Sequence, residues 1–142
     1  MSDAMSQPAT HAADHGQVSD DLAPGDLLIL LRHAPHGSSW LREGLEAAMV
    51  AAAFGREVGL LFSGDGVLAL LEGQQPGALG QKGSDNLLAA LDMYDVQRCY
   101  VDATALRARG LSVEDIALLP VTLMEHDDIV ALTGAFSRVL SF

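Results

Sequence analysis

One cysteine in 142 residues, Cys99, excludes an internal disulfide and any zinc site built from several thiolates, a usage that fits a reducing compartment. Basic residues are scarce too. Eight Lys and Arg stand singly between Arg32 and Arg138 against nineteen Asp and Glu, leaving a formal charge of −11. Such a surface gives poor footing on a phosphate backbone; the acid excess reads as solubilising, or as an attraction for a basic partner. The first 25 residues contain no Lys, Arg or apolar run, so they lack the n-region and h-region of a secretory signal. No apolar stretch approaches the roughly 20 residues of a membrane span. The expectation is a cytoplasmic protein with no membrane partner and no direct nucleic-acid contact. Also missing are the nucleophile elbow G-x-S-x-G, the zincin H-E-x-x-H and the GK[ST] of a nucleotide loop.

What is present fits one α/β domain with a real core: 49% apolar residues and 14 glycines. Residues 1–25 mix Ser, Ala, Asp, Gln and Pro without periodicity and cannot bury enough surface to offset their ordering entropy. They are expected to be a disordered acidic tail, with the domain at 26–142. His11 and His15 would share a metal only on a helix that this segment has little tendency to form, so solvated histidines are expected there.

DLLILLRH is a continuous apolar run of the kind that helices bury on both faces of a parallel sheet. Pro35 and Gly37 break it. Ser38 or Ser39 then caps a helix with Leu41, Leu45, Ala48, Met49 and Ala52 at helical spacing, closed by Gly55. EVGLLFS predicts a second strand, GDGVLALLEG a sharp turn into a short helix, and residues 73–83 a mobile glycine-rich loop. NLLAALDMY predicts a helix, VQRCYVD the third strand, ATALRARG a helix, LLPVTLM the fourth strand, EHDDIVALTG the last helix and AFSRVLSF a terminal strand. Strand and helix alternate throughout. The expected fold is three-layer α/β, a mostly parallel five-stranded sheet with helices on both faces.

Ligands and partners of such a sheet meet the loops at the carboxyl ends of its strands, which selects HAPHG, GDG, DAT and EHDD. Each has a structural explanation. His33 and His36 lack an assured third metal ligand and read as loop histidines. Gly64-Asp65-Gly66 lacks the further glycine of a dinucleotide fingerprint. Glu125, His126, Asp127 and Asp128 open a helix, where acids complement the dipole. No cofactor and no metal site is expected.

The ordered series APHG, REGLEA, FSGDGVLALLEGQ, MYDVQRCYVDATALRARGL and SRVLSF, over roughly residues 27–142, strongly resembles the TusC/DsrF family of sulfur-relay subunits. The resemblance implies a DsrE/DsrF-like fold of the flavodoxin-like class and a place in a hetero-oligomer. In that family the subunit joins a TusD/DsrE-like and a TusB/DsrH-like subunit in a heterohexamer with two copies of each. The complex passes persulfide sulfur between carrier proteins, toward the 2-thio group of tRNA wobble uridine in the Tus version and toward oxidation of stored sulfur in the Dsr version. Thiolation is the expected destination here.

In the TusD/DsrE-like relatives the sulfur-carrying cysteine ends the third strand, eight residues before the glycine closing an ALRRG-like helix; here that count back from Gly110 reaches Asp102. A carboxylate cannot hold a persulfide, because that chemistry needs a thiolate. Cys99 lies three residues earlier, so strand alternation turns it to the opposite face, as a small core hydrophobe. The resemblance therefore implies a non-catalytic scaffold, with Pro35, His36, Gly37, Asp65 and Asp102 on candidate partner-facing loops. Two other classes stay open from the residues alone: a free-standing sulfurtransferase using Cys99, and a small-ligand module built on the His36, Asp65 and Asp102 loops.

Overall fold

GDLLILL forms β1, Gly25–Leu31, whose apolar residues alternate between the two faces of a sheet buried on both sides. VGLLF forms β2, Val58–Phe62, with every residue buried. β3 (Arg98–Asp102), β4 (Thr122–Met124) and β5 (Phe136–Ser141) complete a sheet of order β4-β3-β2-β1-β5. All pairings are parallel, with Leu28 opposite Gly59 and Val139, and Leu61 opposite Tyr100. The computed structural model describes residues 22–71, 85–116 and 119–142. Within them lie α1 (Trp40–Ala53), α2 (Asp85–Ala90), α3 (Ala103–Ala108), α4 (His126–Ala135) and 3-10 turns at Gly64–Leu70, Leu91–Tyr94 and Val113–Asp115.

Strand order dictates where the helices go. From β1 to β4 the chain steps one strand at a time in one direction, and right-handed crossovers then place their connections on one face. There Leu41, Leu45 and Ala48 of α1, Leu88 of α2 and Leu106 of α3 pack on Ile29, Leu31, Leu60, Phe62, Cys99 and Val101. The step from β4 to β5 crosses back over the sheet, and α4 covers the other face. Its Leu132 joins Leu28, Leu61, Tyr100, Met124 and Phe136. The three-layer α/β expectation holds, with the sheet wholly parallel. No helix among the described residues is long and apolar enough to cross a membrane.

Three details differ from the sequence expectation. The segment expected as one helix, NLLAALDMY, tightens into a 3-10 turn at Leu91 and stops at Asp95, whose left-handed φ of 62° suits an Asp better than most side chains. β4 is shorter than LLPVTLM, since Pro120 has no N–H to give the ladder. The chain is also held before residue 26: Leu22 packs on the second core cluster, the Ala23 carbonyl accepts from Arg98 Nη2 at 2.8 Å, and β1 opens at Gly25. The rest of the tail, with His11 and His15, and the 73–83 loop lie outside the described residues.

One glycine in α4 is there without a steric reason. Gly134 has open space where a Cβ would go, so Gly134→Ala should raise unfolding stability by about 0.5 kcal/mol through lower chain entropy. Urea midpoints of the two proteins measure it; a lower midpoint would contradict this account.

Candidate functional site at the carboxyl edge

Because the strands are parallel, the loops after β1, β2, β3 and β4 gather at one edge. The turn after β2 is pressed against the end of β1. Ser63 N–H donates to the Leu31 carbonyl at 3.0 Å, and Gly66 N–H donates to the Ser63 carbonyl at 2.9 Å. Gly64 takes a φ of 52°, and a Cβ on Gly66 would run into the Leu31 carbonyl oxygen. The glycines of Gly-Asp-Gly thus serve the strand end.

Asp102 terminates β3 and caps α3. Its Oδ1 accepts from the N–H groups of Thr104 at 3.0 Å and Ala105 at 3.4 Å, and its Oδ2 accepts from Ser63 Oγ at 3.2 Å. These bonds fix the carboxylate and satisfy two of the donors a helix start leaves open. Just past the end of α3, Arg109 donates to Asp65 Oδ1 from Nε at 3.1 Å and from Nη2 at 2.7 Å, while its Nη1 donates to the Ala105 carbonyl at 2.9 Å. Arg107 donates to both Glu125 oxygens, at 3.1 and 2.9 Å. The hydrogen bond and then the charge of Glu125 push the Arg107 guanidinium pKa further up. Glu125 in turn caps α4, its N–H donating to Asp128 Oδ2 at 2.9 Å. α3 is therefore the hub through which the ends of β2, β3 and β4 are joined. The EHDD cluster is spent on capping, as its place at a helix start implies.

The loop after β1 stands beside this hub. Pro35 is half-buried, His36 and Gly37 are exposed, and Gly37 has a φ of 92°. His33 stacks on Trp40 with ring centroids 5.6 Å apart, and its Nδ1 is buried without a hydrogen-bond partner among the described residues. No three His, Cys, Asp or Glu side chains gather into a metal site among those residues.

Cys99 belongs elsewhere. It is the second residue of β3, only 5% exposed, and lies in the core on the α1 side of the sheet, near Leu91 and Val96 and on the face opposite Arg98 and Tyr100. Burial pushes its thiol up to about 12. The reactive species is the thiolate, so the side chain is held in its unreactive form at neutral pH.

The structure brings Asp65 and Asp102 onto one hub and keeps Cys99 away from it. Sequence reasoning missed Ser63, Arg107 and Arg109, which hold that hub together. Arg109 lies 44 residues from Asp65 and Arg107 lies 18 from Glu125, separations that no local pattern announces.

A sequence model of the DsrE/DsrF-like family matches residues 26–142. The chain belongs to the DsrE/DsrF-like family. Within it, the chain is 38% identical over 92 residues to the protein TusC homolog of Vibrio parahaemolyticus, covering 65% of this chain and 78% of that one. It is 34% identical over 116 residues to the protein TusC homolog of Vibrio vulnificus, covering 82% and 98%. Among solved structures, the ychN protein from E. coli is similar with a TM-score of 0.69 at 25% identity, covering 83% of this chain and 99% of that one. The TusC/DsrF resemblance carried by the ordered motifs is thus met by the comparisons, and the family's α/β sheet is the one that positions Asp102 and Asp65.

Proposed function

We propose that this DsrE/DsrF-like chain is a non-catalytic scaffold and docking subunit of a TusBCD/DsrEFH-like sulfur-relay complex, with 2-thiolation of tRNA wobble uridine as the destination of the sulfur. Its partners on this reading are TusB/DsrH-like and TusD/DsrE-like subunits in a cytoplasmic heterohexamer, and sulfur-carrier proteins that meet the assembled complex. The loops carrying Pro35, His36, Gly37, Asp65 and Asp102 are the surfaces offered for docking.

The observation that supports the reading is the state of Asp102. It stands where the resemblance places the carrier cysteine of TusD/DsrE-like subunits, and its oxygens already accept from Thr104, Ala105 and Ser63. Sulfur relay proceeds when an acceptor thiolate attacks the terminal sulfur of a donor persulfide: one S–S bond forms, the donor S–S bond breaks, and the donor leaves as a thiolate. No oxidant is consumed. A capping carboxylate can take neither part, so the thiol must come from a sister subunit. Cys99 as an alternative carrier is opposed by its burial and raised pKa.

Radiolabelled sulfur passed through the reconstituted complex, followed by non-reducing separation of subunits, tests this. Label should appear on the TusD-like chain, and Cys99→Ala in this chain should leave transfer within about twofold of the parent. Label on this chain that vanishes with Cys99→Ala would replace the scaffold reading with a second carrier site.

A further inference from the structure

At the amino edge of the sheet, the end opposite the hub, one guanidinium gathers elements from both ends of the chain. Arg98 opens β3, with 16% of its side chain exposed. Its Nε donates to the Tyr100 hydroxyl at 3.1 Å and its Nη2 to the Ala23 carbonyl at 2.8 Å. Its Nη1 lies 3.8 Å from Glu57 Oε2, and its Cζ stands 4.5 Å above the centroid of the Phe136 ring. That ring occupies the space that Cβ atoms on Gly25 and Gly59 would need, so both glycines are required for it to settle on β1 and β2. A charge this deep is tolerated because it has partners on several sides.

The chain leading into β1 is the most loosely held member of this cluster. Ala23 and Pro24 are exposed and precede the sheet ladder, and Leu22 is half-buried against the second core cluster. Pro24 has no N–H to satisfy and disfavours helical geometry at Ala23, so the segment runs extended at little cost. It walls one side of an open depression of about 580 Å³, with Glu57, Arg98 and Ser137 across from it. From residue 26 onward the backbone is secured. The N–H groups of Asp26 and Leu27 both donate to the Glu57 carbonyl, at 2.9 and 3.1 Å, and Glu57 N–H donates to Asp26 Oδ2 at 2.7 Å. The hold on residues 22–24 comes instead from two points, the Leu22 side chain and the Ala23 carbonyl. Both lie ahead of residue 26, where the family match begins. A charge-assisted hydrogen bond is strong enough to keep such a segment seated most of the time and weak enough to let it lift.

We propose that residues 22–24 are a strap, latched by Arg98, that opens on its own while the sheet stays folded, and that its opening is felt at Phe136, where β5 begins. Lifting the strap takes the Ala23 acceptor from Nη2 and uncovers the part of the second core cluster on which Leu22 sits. Arg98 then re-centres on its remaining partners, the Phe136 ring among them, so a pull on the chain ahead of Leu22 is passed to the last strand. The strap stands apart from the relay reading: it involves neither Asp102 nor any thiol, and its failure would leave the scaffold role untouched.

Nitrogen-15 relaxation of the full chain tests it. In the parent, the Leu22 and Ala23 amides should have order parameters of about 0.8. Relaxation dispersion should show Leu22, Ala23 and Phe136 sharing one exchange process, with a minor state of about 1–7%. Arg98→Lys keeps a charge for the Phe136 ring but cannot reach Tyr100 and Ala23 together. Its strap should be mainly open, with order parameters at residues 22 and 23 below about 0.6 while β2 and β3 stay rigid. Pro24→Gly leaves the Arg98 contacts in place, frees the backbone of the strap, and should raise the open population about threefold. A parent already below about 0.6 at both residues overturns the proposal. So does a strap without exchange, exchange there with Phe136 silent, or a Pro24→Gly strap no more open than the parent. Arg98→Lys overturns it too if the strap stays as rigid as in the parent, or if β2 and β3 loosen as much as the strap does.

Discussion

Gly66→Ala should lower the melting temperature by on the order of 10 °C, from a loss of about 3 kcal/mol or more, although it adds a single methyl group. The added carbon meets the Leu31 carbonyl, which is backbone in the middle of a parallel sheet and already accepts from Ser63 N–H. Neither side can swing away as a flexible side chain would. β1 and the turn after β2 would have to part, and the Ser63 hydroxyl that holds Asp102 would move with them. Gly37→Ala is the matched control. That residue has a φ of 92° but open space around it, so its cost should be limited to about 1 kcal/mol of backbone strain. Thermal melts of the two variants compare them directly; equal losses would show that the approach to Leu31 is not the constraint.

The second large effect appears in alkali. An unfolded-chain thiol ionises near 9, while Cys99 in the fold stays protonated to about 12. Between these values the folded state holds a proton that the unfolded chain has released, so stability falls as pH rises. The contribution is complete below about pH 9 and declines by about 1.4 kcal/mol per pH unit above it, on the order of 4 kcal/mol across the window. Other groups titrate in the same range, and comparison with Cys99→Ala isolates the thiol: urea unfolding from pH 8 to 11 should show the parent losing its advantage over the variant at that slope. The same depletion of thiolate, about a thousandfold at neutral pH, should make alkylation of the native protein very slow relative to the unfolded chain. Parallel stability curves and rapid native labelling would restore Cys99 as a candidate nucleophile.

Much of this architecture was readable from local pattern, and what was not has a common cause. The double-sided burial of β1 and β2, the helical spacing of Leu41, Leu45 and Ala48, the closure at Gly55, and the acidic start of the last helix at Glu125 are short-range features, and the sequence announces each of them. The opposed faces of Cys99 and Asp102 likewise follow from alternation along one strand. What local pattern could not supply was the hub. Asp65 read only as a residue of a candidate partner-facing loop, with nothing nearby to announce Arg109 just past α3, and Asp102 carried no visible sign of Ser63, 39 residues away. The covered side of α1 was legible: Leu41, Leu45, Ala48, Met49 and Ala52 follow helical spacing and all pack on the core, while Val50 and Phe54 stay exposed.

The position of β5 bears on how the chain comes off the ribosome. β1 is made first of the five strands and ends up between β2 and β5, with Phe142 exchanging backbone hydrogen bonds with Leu30 and Arg32 just past the pairing. Its second edge therefore waits, open and apolar, while β2, β3, β4 and α4 are synthesised. A nascent chain halted anywhere before residue 136 presents a long strand such as GDLLILL with an unfilled hydrogen-bonding edge, a template for pairing with a neighbouring chain. Slow translation late in the message, rather than early, is where this protein would be most exposed to aggregation.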